Sequence, residues 1–116
     1  MKLTINQELM KDEENKIIFK VFQGGNREHY HIRIWLDGPE EDLDQVEYVV
    51  YVLHPTFRNR TRRAKNRDKK FEISIWTWGL FVIQTSIHFK NGQIKDIKYY
   101  LSYDLPPDSG KNYIKA

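Results

Sequence analysis

The sequence predicts an all-β protein, two antiparallel sheets packed face to face as a sandwich, and three of its features carry that prediction. Apolar and polar residues alternate with a period of two along most of the chain, whereas helical spacing is nearly absent. β-Branched and aromatic residues crowd the alternating runs, while Gly, Pro, Asn and Asp gather between them. The 116 residues, 40% hydrophobic and 14% aromatic, suffice for a single core. A sheet of this size must bury one face against something, and a second sheet is the expected partner.

In chain order, Leu3, Ile5 and Leu9 read as a frayed strand and Asp12-Glu13-Glu14-Asn15 as a turn. Lys16 to Gln23 is a strand ended by Gly24-Gly25-Asn26. His29 to Leu36 alternates Tyr30, Ile32, Ile34 and Leu36 against His29, His31, Arg33 and Trp35, and Asp37-Gly38-Pro39 stops it. The acidic stretch Glu40 to Asp44 is expected as a solvated loop. Val46 to His54 is nearly continuous in apolar residues, which predicts a strand with both faces partly covered. Phe71 to Trp76, Leu80 to Phe89 and Ile94 to Tyr103 complete the set. The last two are joined by Lys90-Asn91-Gly92-Gln93, and Asn-Gly between alternating runs is a strong hairpin signal. One domain over residues 1–105 is expected, with Pro106-Pro107-Asp108-Ser109-Gly110 opening a C-terminal tail, 106–116.

Composition removes whole classes of function. There is no cysteine, so disulfide scaffolds, thiolate metal sites and cysteine nucleophiles are excluded. No apolar run approaches the roughly 20 residues needed to span a bilayer, and the start Met-Lys-Leu-Thr-Ile-Asn lacks the pattern of a secretory signal, so a cytoplasmic protein without membrane association is expected. The net charge of +3 hides an asymmetry: Arg58 to Lys70 holds eight basic residues and one acid, leaving eleven basic and fifteen acidic residues, a balance of −4, in the rest. That segment has three readings: neutralisation of phosphates, docking of an acidic partner, or a solvated loop. No aromatic residue stands between Phe57 and Phe71 to stack on bases, so specific nucleic-acid binding is not expected, and any attraction should be weak and salt-sensitive.

Catalytic signatures are missing. The chain has no Gly-x-Ser-x-Gly, no Walker loop and no His-Glu-x-x-His, and Gly24-Gly25 precedes no helix on which phosphate would sit. His29 and His31 share one face of a strand, but no third metal ligand is identifiable. Neither an enzyme nor a cofactor nor a metal is expected.

Two short segments are unlike ordinary strand or turn chemistry. Leu53-His54-Pro55-Thr56-Phe57 gathers an imidazole, a hydroxyl and an aromatic face where a strand runs out, on a backbone that Pro55 restrains. Trp76-Thr77-Trp78-Gly79-Leu80-Phe81 sets two indoles beside a glycine, where the missing Cβ admits close approach. Two readings stand: these aromatics bind something, or Phe57, Trp76 and Trp78 cap the core at one end of the sandwich.

Around those segments the chain resembles the YEATS domain family, most closely its prokaryotic branch, over about Gly24 to Leu105. The resemblance rests on Trp35-Leu36-Asp37-Gly38-Pro39, on Val46-Glu47-Tyr48-Val49-Val50-Tyr51-Val52-Leu53-His54-Pro55-Thr56-Phe57, and on Trp78-Gly79-Leu80-Phe81 ahead of a strand ending in Phe89. It implies an immunoglobulin-like sandwich whose loops at one end read acetylated or crotonylated lysine in a protein segment. It also implies that Phe57 and Trp78 clamp the acyl amide, that Thr56 and the main chain around Trp78 and Gly79 bond it, and that His54 supports the pocket. Arg27-Glu28 stands where eukaryotic members commonly place a further aromatic, and Thr77 replaces the family's glycine before the clamp residue.

The resemblance fixes a topological condition. For Phe57 and Trp78 to converge, an even number of strand crossings must separate them, yet only Phe71 to Ile75 is an obvious strand. A second crossing is therefore predicted inside the basic run, a short charged edge strand over Asn59 to Arg63 that turns at Lys65-Asn66-Arg67-Asp68. The function expected first is a non-catalytic acyl-lysine-binding module. The alternatives are a protein-contact or sensor module of a prokaryotic defence-type system without acyl-lysine binding, and weak nucleic-acid binding through residues 58–70.

Overall fold

Buried and exposed residues alternate along the strands as the period-two pattern requires, so each strand turns one row of side chains to a common core. A computed structural model describes residues 2–22 and 27–116. Among them run β1 (Thr4–Leu9), β2 (Ile17–Val21), β3 (Glu28–Asp37), a one-turn helix α1 (Glu40–Leu43), β4 (Val46–Val52), β5 (Thr61–Ala64), a 3-10 turn (Arg67–Lys69), β6 (Ile73–Thr77), β7 (Phe81–Phe89), β8 (Ile94–Leu101) and β9 (Tyr113–Lys115). The predicted Gly24-Gly25-Asn26 turn lies outside the described residues.

Two sheets form the sandwich. In the first, β3 pairs antiparallel with β6 on one side and with β1 and then β2 on the other, and β2 pairs in parallel with β9. The second is antiparallel in the order β5-β4-β7-β8. Ile32, Ile34 and Leu36 of β3 face Val49 and Tyr51 of β4 and Ile83 and Ile87 of β7 in one fully buried cluster. The fold is the expected all-β immunoglobulin-like sandwich.

Several elements depart from the expectation for identifiable reasons. The frayed N-terminal strand is a full six-residue β1, because Leu3 and Ile5 are buried. Glu40 to Asp44 is not a solvated loop. Leu43 inserts into the core with no exposed surface, and the Pro39 carbonyl accepts the Asp42 and Leu43 N–H groups to close a helical turn. Three carboxylates in that turn suit the exposed N–H groups of its start. The segment expected as a tail contributes β9, anchored where Ile17 N–H donates to the Asn112 carbonyl at 2.8 Å. A crossing is indeed hidden in the basic run: β5 pairs with β4 at the sheet edge, two residues further along than its predicted start, and the chain turns where Asn66 Oδ1 accepts the Asp68 N–H.

After that turn Lys70 and Phe71 both adopt positive φ, 54° and 56°. A bulky residue is uncommon there. It is held because the Phe71 ring is fully buried, its N–H donates to the Asn66 carbonyl, and its own carbonyl accepts the buried Tyr51 hydroxyl at 2.7 Å. At the same end of the sandwich Gly38 is packed against the N-terminal segment, where a Cβ would lie 2.8 Å from the Lys2 carbonyl oxygen.

The strand directions sort the loops. The start of β3, the β4–β5 loop and the β6–β7 turn lie at one end. The β3–α1–β4 connection and the β7–β8 hairpin lie at the other. No helix among the described residues is long and apolar enough to cross a membrane.

Candidate functional site

Both unusual segments lie at the first end, one in the β4–β5 loop and one in the β6–β7 turn. His54-Pro55-Thr56-Phe57 closes as a β-turn, the Phe57 N–H donating to the His54 carbonyl at 3.0 Å, with Pro55 at the position whose φ its ring already supplies. Inside it, Thr56 Oγ1 lies 2.9 Å and the Thr56 N–H nitrogen 3.3 Å from His54 Nδ1. A backbone N–H can only donate, so Nδ1 is the acceptor and the ring proton resides on Nε2. The Thr56 hydroxyl then gives its own hydrogen to Nδ1, leaving its oxygen lone pairs to accept an N–H from a ligand.

The second segment is held by its own hydroxyls. Buried Thr77 donates through Oγ1 to the Gly79 carbonyl at 3.2 Å and accepts the Gly79 N–H at 3.4 Å. Tyr103 adds a second hydroxyl to that carbonyl, at 3.3 Å. Burial raises the Tyr103 pKa above its ordinary value, which keeps the phenol protonated as a donor. Thr77 thus fastens the turn from within.

His54, Thr56, Phe57, Trp78 and Gly79 all line one cavity of about 630 Å³, a volume typical of small-ligand pockets. Phe57 tilts against Phe81 at 5.4 Å between ring centroids, and His54 meets Phe81 edge-on at 6.0 Å, so the first loop rests on the core. Trp78 is 50% exposed and carries the Arg27 guanidinium 4.1 Å from its ring centroid. Trp78 thus stands half outside the core, whereas Phe57 packs partly against it.

Sequence reasoning missed part of the wall. Phe22, just past β2, and His29 of β3 reach the cavity, meeting edge to face at 4.7 Å, and Trp76, Arg58, Leu80 and Phe81 also line it. His31, which shares the outward face of β3 with His29, stacks on Trp76 at 4.4 Å and 7°. Burial against the indole lowers its pKa. Among the described residues no group of three side chains is placed to hold a metal ion. The signal for this wall was the alternation that turns His29 and His31 to the outward face of β3, which becomes informative only once β6 lies beside it.

Chemically, the cavity offers two aromatic faces, an oriented hydroxyl oxygen and main-chain amides, and no carboxylate lines it. That suits a flat neutral amide with an apolar substituent better than a hydrated ammonium.

Residues 30–102 match the family model described as the prokaryotic YEATS domain. The chain is 38% identical over 64 residues to transcription initiation factor TFIID subunit 14 of Schizosaccharomyces pombe, a stretch that is 53% of this chain and 26% of that protein. The chain thus spans about a quarter of the length of the curated relative it matches. Among solved structures it is similar to the Yaf9 YEATS domain bound to H3K27ac, with TM-score 0.61 and 22% identity over 88% of this chain and 70% of that one. It is similar also to the Yaf9 YEATS domain recognising an H3K122suc peptide, with TM-score 0.59 and 21% identity over 84% and 67%. These structural likenesses bear on the fold.

Proposed function

The chain belongs to the prokaryotic YEATS domain family, and we propose that it is a non-catalytic reader of acylated lysine, acetyl or crotonyl, in a protein segment. The single observation that supports this most is the cavity in which Phe57 and Trp78, 21 residues apart in the chain, stand with the His54-oriented Thr56 hydroxyl. Phe57 and Trp78 sandwich the planar amide, whose N–H donates to Thr56 Oγ1. The Trp78 N–H supplies a donor to the acyl oxygen, the Gly79 N–H being engaged by Thr77, and Thr77 and Tyr103 hold that turn in place. His54 acts by fixing the Thr56 hydroxyl. YEATS domains are binding modules without catalysis, and relatives of this fold bind acylated histone peptides, which supports a peptide as the kind of partner.

A side chain of so few atoms limits the affinity, so dissociation constants of about micromolar to millimolar are expected. Titration of acetylated, crotonylated and unmodified lysine peptides, followed by tryptophan fluorescence or NMR, tests the reading. Binding of acylated peptides with no binding of the unmodified one is the expected result. Equal binding of all three would replace it with the protein-contact alternative.

A further inference from the structure

We propose that the segment presenting the acyl-lysine is acidic, its Asp or Glu residues pairing with Lys20, Arg27 and Arg58 around the cavity mouth; this rests on the acyl-lysine reading above. The basis is how the topology divides the charge. Of the eight cations between Arg58 and Lys70, the four past β5 lie toward the far end of the sandwich, and two of them are neutralised there. Arg67 pairs with Glu40 and Asp44, and Lys70 with Asp37. Arg58 stays at the near end and lines the cavity.

Two further cations approach the cavity from the opposite side. Arg27 lies over Trp78, and Lys20 Nζ stands 5.2 Å from the Phe22 centroid and 5.6 Å from that of Trp76, both wall residues. Among the described residues, none of the three forms an ion pair with a carboxylate, and residues 1 and 23–26 include no Asp or Glu. Glu28, next to Arg27, is turned to the Tyr30 hydroxyl at 2.9 Å. The helix acids Glu40, Glu41 and Asp42 lie at the far end. The mouth is thus flanked by cations on two sides with no acid in its wall, which attracts carboxylates and repels a lysine- or arginine-rich flank. Acidic peptide is favoured over single-stranded nucleic acid because the basic segment that begins at Arg58 carries no aromatic residue before Phe71 on which successive bases would stack.

The test uses acetyl-lysine peptides of one length with acidic, neutral or lysine flanks, and the acidic peptide with unmodified lysine. Two or three exposed ion pairs, each worth a factor of about 1.5 to 5, predict roughly tenfold tighter binding of the acidic than the neutral peptide at about 50 mM salt. The advantage should shrink to within about twofold near 500 mM, where the screening length falls below the spacing of the charges. The Arg27→Gln/Arg58→Gln variant should lose the preference at low salt. Should it fail to fold, the salt series on the parent protein decides by itself. Equal affinity for acidic and neutral acetylated peptides at low salt overturns this proposal and leaves the acyl-lysine reading standing. Equal affinity for the acetylated and unmodified acidic peptides ends the acyl-lysine reading. An oligonucleotide that displaces the acidic peptide more effectively than the peptide itself overturns the choice of partner.

Discussion

Truncating Trp78 to alanine separates a ligand clamp from a structural aromatic, because the two roles predict different magnitudes in two assays. An indole side chain presents about 200 Å², and Trp78 is 50% exposed, so about 100 Å² is removed from water on folding. At about 25 cal/mol per Å² this gives an upper bound of about 2.5 kcal/mol, which compactness of the unfolded chain lowers to about 1.5–2 kcal/mol. For a domain of this length the melting temperature should fall by roughly 6–8 °C. A fully buried aromatic would cost about 3–5 kcal/mol, and roughly twice that shift. In the binding assay, loss of one face of the clamp should weaken acyl-lysine peptides by at least about tenfold. Trp78→Phe, which keeps a π face, should recover part of the loss. Calorimetry of the variant and one peptide titration suffice. A melting shift beyond about 12 °C, or an affinity within about twofold of the parent, would show that Trp78 belongs to the scaffold and that the clamp has been misassigned.

Gly79→Ala offers a complementary reading: a Cβ there meets nothing within 4 Å, so the melting temperature should be unchanged and any loss of peptide affinity reports the ligand's own approach to the turn. Tyr51→Phe removes the buried donor to the Phe71 carbonyl and should cost about 1–3 kcal/mol in a urea titration. A cost below about 0.5 kcal/mol would mean that the left-handed Lys70-Phe71 corner does not depend on it. His31 should make stability fall with acid. Burial lowers its folded pKa below 6.5, so its contribution is complete above the unfolded value and declines as pH drops through 6.5 toward the folded value. The difference in urea stability between pH 7.5 and pH 5 should therefore be smaller in His31→Phe than in the parent. An unchanged difference would exclude the Trp76-stacked imidazole as its source.

Much of this protein was determined by local pattern. Tyr30, Ile32, Ile34 and Leu36 face the core because side chains alternate along a strand. The Asn91-Gly92 hairpin follows because Gly92 can take a φ of 89°. The two loops of the site were legible for a similar reason: proline, glycine and clustered aromatics where strands end are chemically odd without any knowledge of what they face. Even the hidden strand followed from sequence, since loops that converge at one end demand an even number of crossings.

Tertiary structure alone decided what each of those groups meets. Leu43 could not be told from a loop residue, because the pull that makes Glu40–Leu43 a helix is a core cavity built by strands distant in sequence. His29 and His31 share one face of β3, yet the residue just past β2 and a residue of β6 bring a different aromatic to each. The thirteen-residue basic run was one feature in the sequence and became two in space. A single pass of β5 along the sandwich carries Arg67 and Lys70 to the acids at the far end and leaves Arg58 at the mouth of the cavity, because side-chain patterns act along the chain while charges act across the distances that folding sets.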